Sequence, residues 1–321
     1  MARPEGRYHQ FTHIHVDCDP LVYKYGFSSQ SVKFFVDTTE GAEEFSTLKQ
    51  AEKYCDGVGV DKSLIRKEMS LVPAKTVRVN LEKRLRQLKN LFKAKRVHLY
   101  ISPRLNFRNA LWDDYKANRS GTEKPHYYTL IREFFEKKGA KMPLGIEADD
   151  AVSCNHFHVW VKSPEAKRCR TYETLIVGED KDFNNVPGWH YNPTKDELFY
   201  VTIRDAIRHF YLQLLMGDSA DGVPGIPGVG KKKAENMLPP DTTDEGELWA
   251  IVKQAYFDYA EKEGINKEEI LGTLLVYAHM LWILWEPDKF FIPVDEDEVC
   301  QKINSELLNR TKDYLKEIGN S

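Results

Sequence analysis

The sequence predicts an α/β protein with a mostly parallel central sheet flanked by helices and a C-terminal helical region. Two observations support this prediction. Short runs of β-branched and aromatic residues alternate with stretches whose apolar residues recur at helical spacing, as in strands joined by crossover helices. After about residue 203 only helical patterns remain, and a segment rich in glycine and proline interrupts them.

Local signals define the individual elements. Strands are predicted where apolar runs end in Asp, Gly or Pro, at residues 13–16, 97–101 and 174–177, with a hairpin at 31–36 and 43–45. Helices are predicted at residues 47–54, 77–94, 128–138, 148–161, 203–216, 246–262, 267–285 and 299–317. Because strands with helical crossovers form parallel sheets, their carboxyl ends should meet at one edge, where ligands bind.

Composition excludes several classes of protein. The chain has 321 residues, of which 41% are hydrophobic and 30% charged, so it can form a packed core and is not disordered. Its longest uncharged run, residues 270–285, is shorter than the ~20 residues that span a bilayer, and no signal-peptide pattern is found. The five cysteines contain no CxxC pair, so neither a disulfide framework nor a zinc site is expected. We therefore expect a cytoplasmic protein with no membrane partner.

Four groups of acidic residues stand at predicted ends of strands or helices. They are Asp17 with Asp19, Glu147 with Asp149 and Asp150, Asp180 with Asp182, and Asp218 with Asp221. One such group alone is typical of a helix N-terminus, where carboxylates cap backbone N–H groups. Four groups massed together repel one another unless cations neutralise them, and hard divalent cations prefer oxygen ligands. The pattern therefore predicts a two-metal site, with ions about 3.5–4 Å apart as in nucleases and polymerases.

A segment of mixed charge lies between the strand at 97–101 and the Glu147 group. It contains Phe107-Arg108 and then Tyr115-Lys116-Ala-Asn-Arg119. Tyr, Lys and Arg at this spacing can stack on a base, pair with a phosphate and stabilise charge in a transition state. A solvated loop followed by a helix start would have the same composition, and the residues alone leave both interpretations open.

Residues 78–96 form the most basic stretch, with eight Lys or Arg against one acid, Glu82. The stretch is either a patch that contacts a DNA backbone or the exposed face of an amphipathic helix. The second interpretation is favoured.

The glycine-rich segment at residues 225–233 reads Gly-Ile-Pro-Gly-Val-Gly-Lys-Lys-Lys. Glycines let a backbone approach a phosphate, and the helix that follows points its N–H groups outward. The segment lacks the GxxxxGK[ST] spacing of a P-loop. It is similar to the helix-hairpin-helix turn that grips a DNA backbone, and a purely structural turn is the alternative. The DNA-binding candidates are Gly225, Gly228, Gly230, Lys231, Lys232 and Lys233.

The ordered set of motifs resembles the 5′→3′ exonucleases of the flap-endonuclease superfamily, in their bacteriophage branch. The matching residues are, in order, Asp17, Phe107-Arg108, Tyr115-Lys116-Ala-Asn-Arg119, Glu147-Ala-Asp149-Asp150, Asp180-Lys-Asp182-Phe183 and Gly217-Asp218-Ser-Ala-Asp221, followed by the glycine turn. The resemblance covers roughly residues 13–235, and its order makes it specific, whereas residues 27–75 and 240–321 carry no assignable motif.

The resemblance implies a fold and a set of cofactors. It implies a PIN-like α/β nuclease core at residues 1–202, in which residues 104–145 form a helical arch or gateway. A helical region at 203–321 would contain a helix–three-turn–helix DNA-binding element around 217–236. The implied cofactors are two Mg²⁺ or Mn²⁺ ions, with K⁺ at the glycine turn.

The resemblance also assigns roles to single residues. Asp17, Glu147, Asp149 and Asp180 would bind or surround the first metal, with Asp150 near them, and Asp182, Asp218 and Asp221 would lie on the second-metal side. Lys116 and Arg119 would engage the scissile phosphate, Tyr115 would stack on a terminal base, and Arg108 is grouped with these catalytic residues.

One position departs from the family pattern. Many members carry an Asp five residues before the arginine of the Phe-Arg pair, and this chain has Pro103 there. A metal ligand is therefore missing, and activity is expected to be weaker unless Asp19 compensates. The alternative for Asp19, which precedes Pro20, is that it caps the following helix.

The expected function is metal-dependent 5′→3′ exonuclease or structure-specific flap endonuclease activity in phage DNA replication or primer removal. The substrate would be DNA with a 5′ end, flap or nick, or an RNA–DNA hybrid, held by its backbone with little sequence preference, and phage replication proteins would be partners. One rival is a PIN-type ribonuclease, which does not need the turn at 217–233. The other is a non-catalytic or weakly active structure-specific DNA-binding protein, which Pro103 favours.

Overall fold

The computed structural model describes residues 9–39, 41–113, 115–116, 121–242 and 244–320. The chain divides into two compact units. The core unit consists of Met1–Asp19, Lys89–Thr122 and Gly139–Ser321, and the inserted unit of Pro20–Leu88 and Glu123–Lys138.

Strands and helices alternate along the first two thirds of the described chain. The strands are β1 His13–Asp17, β2 Gln30–Thr38, β3 Gly41–Phe45, β4 Ile65–Leu71, β5 Arg96–Tyr100, β6 Thr174–Val177, β7 Gly188–Asn192 and β8 Glu197–Val201. The helices are α1 Asp19–Phe27, α2 Leu48–Val58, α3 Ala74–Leu91, α4 Arg108–Leu111, α5 Tyr128–Lys137, α6 Ala148–Trp160, α7 Ile203–Met216, α8 Lys231–Met237, α9 Glu245–Glu263, α10 Lys267–Leu281 and α11 Glu298–Gly319. Short 3₁₀ helices occur at Lys62–Leu64, Glu165–Arg170 and Lys181–Asn185.

The core unit contains a five-stranded sheet in the order β5-β1-β6-β7-β8. All neighbours are parallel except β7 and β8, which form an antiparallel pair. Asp17 at the end of β1 is level with Tyr100 on β5, and Val16 with Val177 on β6. The prediction of a mostly parallel α/β sheet is thus confirmed, and the carboxyl ends of β1, β5 and β6 share one edge.

Helices cover this sheet and build the rest of the core unit. Helix α6 packs on β1, β5 and β6, and α7, α9 and α10 contact one another. The helices share a large buried cluster that includes Tyr211, Trp249, Tyr256 and Leu274. Burying such aromatic side chains stabilises each by about 1.5–3 kcal/mol, which holds α7 and its following turn in place.

The inserted unit contains a second sheet, which is antiparallel and has the order β3-β2-β4. The predicted hairpin is confirmed as β2 and β3. Helix α2 packs on it through a small cluster of Val36, Ala51 and Cys55. Strand β4 was not predicted, because most of its side chains are exposed and its sequence, Ile-Arg-Lys-Glu-Met-Ser-Leu, lacks an apolar run.

The end of α10 and the predicted arch differ in how far the structure tests them. Helix α10 ends at Leu281 rather than at 285, because the backbone beyond it is used in tertiary hydrogen bonds with Arg108 and Asp150. The predicted arch at 104–145 includes α4 and α5, and its positions 114 and 117–120 lie outside the described residues. The arch and the domain boundary at residue 202 stay predictions. Across the described residues, no helix is long and apolar enough to cross a bilayer.

Buried histidines are a feature of the sheet that the sequence analysis did not use. His156 on α6 lies fully buried between the Thr174 hydroxyl and the Pro187 carbonyl oxygen, at 3.1 Å from each. Burial, with a smaller effect of His190, lowers the pKa of His156 to about 3. The folded protein therefore keeps this ring neutral at pH values where the unfolded chain binds a proton.

We predict that His156 makes the fold sensitive to acid. Between pH 6.5 and the folded pKa, only the unfolded chain takes up the proton, so stability falls as pH falls, by about 1.4 kcal/mol per pH unit. Between pH 7.5 and 5.0, the free energy of unfolding of wild type, measured with urea, should fall by about 2 kcal/mol more than that of His156→Gln. His158→Gln changes an exposed histidine of the same helix and should keep the wild-type dependence. Equal losses in wild type and His156→Gln would contradict the assignment.

Candidate active site

The carboxyl edge of the core sheet carries the first acidic group. Asp17 is the last residue of β1 and is buried, and its carboxylate accepts the Asp19 N–H at 3.0 Å. Asp19 begins α1 and accepts the Ser102 N–H at 3.1 Å, which ties the end of β1 to the segment after β5. Burial, together with the negative charges of Asp19, Asp180 and Glu147, raises the pKa of Asp17 well above its usual value. The edge therefore concentrates negative charge.

The second group begins helix α6. Glu147 is the N-cap residue, and Asp150 accepts its backbone N–H at 3.2 Å, so the two form a reciprocal capping box. The Ser102 hydroxyl accepts the Ala148 N–H at 2.9 Å. Asp149 lies in the first turn of the helix. Burial, with a smaller effect of the charges of Asp150 and Glu147, raises its pKa well above the usual value. The helix dipole favours these carboxylates, which explains why three of them gather here.

Asp150 and Arg108 form a buried ion pair beneath the site. The guanidinium binds both carboxylate oxygens, at 2.6 and 3.0 Å, and donates to the backbone oxygens of Met280 at 2.9 Å and Trp282 at 2.8 Å. Asp150 also accepts the Leu284 N–H at 3.1 Å. This pair fixes the start of α6 to the segment after α10, and protein donors surround Asp150. The predicted metal role of Asp150 and catalytic role of Arg108 stay predictions.

Tyr115 and Lys116 converge on Glu147. The Tyr115 hydroxyl donates to one oxygen of Glu147, and the Lys116 ammonium lies 2.7 Å from the other and 3.7 Å from Asp221. Burial raises the pKa of Glu147, but Lys116 and Arg108 outweigh it and leave the pKa below its usual value. Lys116 has φ of 55°, a left-handed conformation that is uncommon for a side chain of this size. Arg119, its predicted partner, lies outside the described residues.

The remaining acids come from the segments after β6 and after α7. Asp180 caps the 3₁₀ helix Lys181–Asn185 through the Asp182 N–H, and the Gln213 amide donates to Asp182 at 2.6 Å. Burial, with the charges of Asp180, Asp218 and Asp221, raises the pKa of Asp182 to about 8. Two chain segments that are far apart in sequence thus bring their carboxylates into mutual repulsion.

Asp218 has a different environment. Its side chain is buried and one oxygen accepts the Ala220 N–H at 2.8 Å, and the Lys181 ammonium lies 2.9 Å from the other oxygen. Burial raises the pKa of Asp218, but the Lys181 ion pair outweighs it and the net effect is a lower pKa. Lys181 therefore serves as a built-in counter-ion on this side of the site, as Lys116 does at Glu147.

One small cavity joins the two sides of the site. Its volume is about 10 Å³, enough for one particle the size of water, and carboxylates from both sides line it. The acidic lining residues are Glu147, Asp149, Asp182 and Asp221. The structure therefore brings predicted first-metal and second-metal residues to the same space.

The donor set fits hard divalent cations. It consists of carboxylate oxygens, which Mg²⁺ and Mn²⁺ prefer, and a cation would relieve the repulsion that raises the pKa values of Asp17, Asp149 and Asp182. Within the described residues, no three His, Cys, Asp or Glu side chains are already arranged to hold a metal ion. The Lys116 and Lys181 ammonium groups form ion pairs with Glu147 and Asp218, so a cation bound at either carboxylate would compete with a lysine.

The glycine-rich segment forms a compact turn between α7 and α8. Gly217 and Gly225 have positive φ, of 74° and 65°. A Cβ on Gly225 would lie 2.2 Å from the Gly217 nitrogen, so the backbone at the two glycines is in direct contact. Gly228 also has positive φ, and Gly230 is the N-cap of α8. The three lysines at 231–233 are exposed at the start of α8. The exposed lysines thus follow the glycine turn directly, and the DNA-binding role of this segment stays a prediction.

Some residues of the site were missed from the sequence. Lys181 was visible inside the Asp180-Lys-Asp182 motif, and its position between two acids was the available signal. Gln213 and Ser102 gave no signal, because a single amide or hydroxyl in a helix or loop is common. Their roles depend on tertiary contacts with Asp182 and Ala148.

Comparison with known proteins places the chain among nucleases. A 5′-3′ exonuclease of Aquifex aeolicus is 30% identical over 256 residues, which cover 73% of this chain and 83% of that protein. A 5′-3′ exonuclease of Buchnera aphidicola is 30% identical over 163 residues, covering 47% and 54%, and the exodeoxyribonuclease of Enterobacteria phage T3 is 32% identical over 146 residues, covering 44% and 45%. The chain thus spans about half the length of the last two relatives. No family model matches the chain.

Solved structures show a weaker likeness. The zinc-bound T5 5′-exonuclease aligns with a TM-score of 0.44 and 16% identity, covering 73% of this chain and 91% of that protein. At this score the alignment supports no correspondence between individual residues.

We predict that the Arg108–Asp150 pair is essential to the fold of the site. Arg108→Met leaves the Asp150 carboxylate buried without its cation and should cost about 3–5 kcal/mol in urea unfolding. Arg108→Met combined with Asp150→Asn removes both charges and should recover most of this loss. If Arg108→Met is as stable as wild type, or if the double variant is no more stable than the single one, the pair does not hold α6 in place.

Proposed function

The chain belongs to the 5′-3′ exonuclease family, and on that premise we propose that it is a divalent-metal-dependent 5′-nuclease that hydrolyses DNA phosphodiester bonds. The observation that supports this most is the small cavity lined by Glu147, Asp149, Asp182 and Asp221, acids from three separate segments of the core unit. Carboxylates crowded at one sheet edge repel one another, which destabilises the folded protein. Divalent cations bound for a reaction on phosphates would neutralise this charge.

The chemistry divides between the metal ions and the chain. Bound divalent ions would activate water and stabilise charge on the phosphate and the leaving oxygen. Glu147, Asp149, Asp182 and Asp221 would hold the ions, with Asp17, Asp180 and Asp218 nearby. Because a cation at Glu147 and Asp221 competes with Lys116, its ammonium would be released toward the phosphate, where it stabilises negative charge. We propose that Arg119 acts with Lys116, and that Tyr115 orients Glu147.

In this proposal, Arg108 and Asp150 position other residues of the site. Their charges neutralise each other below the site, and together they hold the capping box that aims Glu147 and Asp149. Asp19 lies beside the position where Pro103 replaces an acid, since its carboxylate accepts the N–H of the neighbouring Ser102. Asp19 is therefore placed to supply negative charge where the family pattern lacks one.

The substrate we propose is duplex DNA with a 5′ end, flap or nick. The exposed lysines at 231–233 suit phosphate contacts without base readout. RNA–DNA hybrids have the same backbone charge and would be accepted as well. A K⁺ ion would bind at the glycine turn. The biological process would be DNA replication or primer removal. A structure-specific DNA-binding protein without activity would need the lysines but not the buried acids, which is why catalysis is proposed.

The decisive variant is Asp182→Asn. Asparagine keeps the acceptor for the Gln213 amide but loses the charge that binds a cation, so cleavage of a 5′-flap DNA in Mg²⁺ should fall by more than about 100-fold. DNA binding in gel shift should stay within about threefold, because the duplex contacts lie elsewhere. Asp313→Asn changes an exposed acid on α11 and serves as the matched control. Wild-type cleavage by Asp182→Asn would contradict the proposed chemistry.

Replacement of Lys231, Lys232 and Lys233 with Gln tests the DNA contact. Each lost phosphate contact should reduce the slope of log affinity against log salt by about 0.9 on duplex DNA, so the triple variant should lose about 2 to 3 in slope. Exposed lysines of α11, replaced as the triple Lys302, Lys312 and Lys316 to Gln, control for net charge. Equal slopes in wild type and the 231–233 variant would show that these lysines face solvent only.

A further inference from the structure

A second, larger pocket opens beside the acidic site. Its volume is about 270 Å³, at the lower end of small-molecule sites, and it lies on one face of the core sheet. Ile176, His190 and Phe199 occupy neighbouring positions on β6, β7 and β8 and face the same side of the sheet. Phe183 and Asn184, from the 3₁₀ helix Lys181–Asn185, complete the lining. None of these five residues takes part in the chemistry proposed above.

Two aromatic side chains, His190 and Phe199, form the floor of the pocket. The rings of His190 and Phe199 are stacked, with centroids 5.3 Å apart and planes 17° apart. His190 is fixed by a 2.8 Å contact between its Nε2 and the Val186 carbonyl oxygen, and burial lowers its pKa to about 4, so the ring is neutral near pH 7. One face of the half-buried Phe199 ring stacks on His190, so its other face is the one on which a planar ligand ring would stack.

Polar groups stand around this floor. Within the described residues, the amide of Asn184 and the ammonium of Lys195 have no hydrogen-bond or ion-pair partner of their own. Glu179 and Glu197 also line the pocket and disfavour a ligand with several negative charges. An aromatic floor with a free amide and one free cation matches a nucleobase whose sugar carries a single phosphate.

The position of the pocket connects it to the nuclease site. Asp180 and Lys181 line its mouth, and Asp180 belongs to the acidic group whose charges act on Asp17 and Asp182. A phosphate held at the acidic site would therefore place its attached nucleoside at the mouth of the pocket. We propose that the pocket binds the base and sugar of one nucleotide of the substrate strand, adjacent to the cleaved phosphate. This inference rests on the proposed nuclease function.

The test uses the free mononucleotide as a probe of the full chain. Calorimetric titration in EDTA compares deoxyadenosine 5′-monophosphate with 2-deoxyribose 5-phosphate, which lacks the base. The mononucleotide should bind at least about 5-fold more tightly, since base–aromatic stacking has that minimum effect. Equal affinity for the two probes, or no binding of the mononucleotide, would overturn the proposal.

Two variants locate the binding. Phe199→Leu keeps an apolar side chain but removes the ring, and should abolish the preference for the mononucleotide. Lys195→Gln changes an exposed side chain that cannot affect the core, and should weaken binding of both probes. Phe257→Leu alters a half-buried aromatic residue on α9 and should leave the preference intact. Wild-type affinities in both Phe199→Leu and Lys195→Gln would show that the mononucleotide binds elsewhere.

A parallel assay separates this proposal from the proposed function. The same preparations are tested for cleavage of a 5′-flap DNA in Mg²⁺. Cleavage by wild type without mononucleotide binding rejects the pocket and keeps the nuclease function. Mononucleotide binding that depends on Phe199, without any cleavage, supports the pocket and rejects the nuclease function.

Discussion

Repulsion among buried carboxylates is the constraint on which the rest of the site depends. Burial and neighbouring charges raise the pKa values of Asp17, Asp149 and Asp182, so the site is strained in its charged form. Among the described residues, Arg108, Lys116 and Lys181 limit this cost. Arg108 is buried and binds both oxygens of Asp150, whereas Lys116 and Lys181 are more exposed and form ion pairs with Glu147 and Asp218. The buried pair holds the start of α6 in place, and a divalent cation bound at Glu147 or Asp218 would compete with a lysine.

The scaffold explains how acids from distant parts of the chain come together. Parallel strands β1 and β6 end at the same edge, and the start of α6 packs across them. The turn after α7 then brings in Asp218 and Asp221, because Gly217 and Gly225 allow their backbones to touch. A side chain at either glycine would clash with backbone atoms of the same turn, at 2.3 Å for Gly217 and 2.2 Å for Gly225. Folding and function therefore depend on the same few contacts.

Much of this was predictable from the sequence, for identifiable reasons. The strand ends at Asp17 and Val177, the amphipathic helices and the glycine turn have local signals, and the structure contains each of them. Strand β4 had no such signal. Strand β7 was hidden because its Gly-Trp-His-Tyr-Asn sequence is buried through tertiary pairing with β6 rather than by an apolar run.

The candidate site, like the fold, was only partly predictable from the sequence. The four acidic groups were recognisable by type and order, but their environments were not. Nothing in the sequence distinguishes Asp150, which is surrounded by protein donors, from Asp149, whose pKa burial and the neighbouring carboxylates raise. The partners that decide this difference, Arg108 and the backbone of Leu284, are 42 and 134 residues away. The effect of Lys181 on Asp218 likewise requires the folded chain.

We propose that this acidic cluster binds divalent metal ions in competition with Lys116 and Lys181, which form ion pairs with Glu147 and Asp218. The most direct measurement is calorimetric binding of Mn²⁺ to the full chain, with thermal unfolding recorded on the same samples. We expect two bound ions, a rise in unfolding temperature when the ions bind, and loss of at least one ion in Asp182→Asn. Absence of Mn²⁺ binding, or identical binding and stabilisation in wild type and Asp182→Asn, would contradict it.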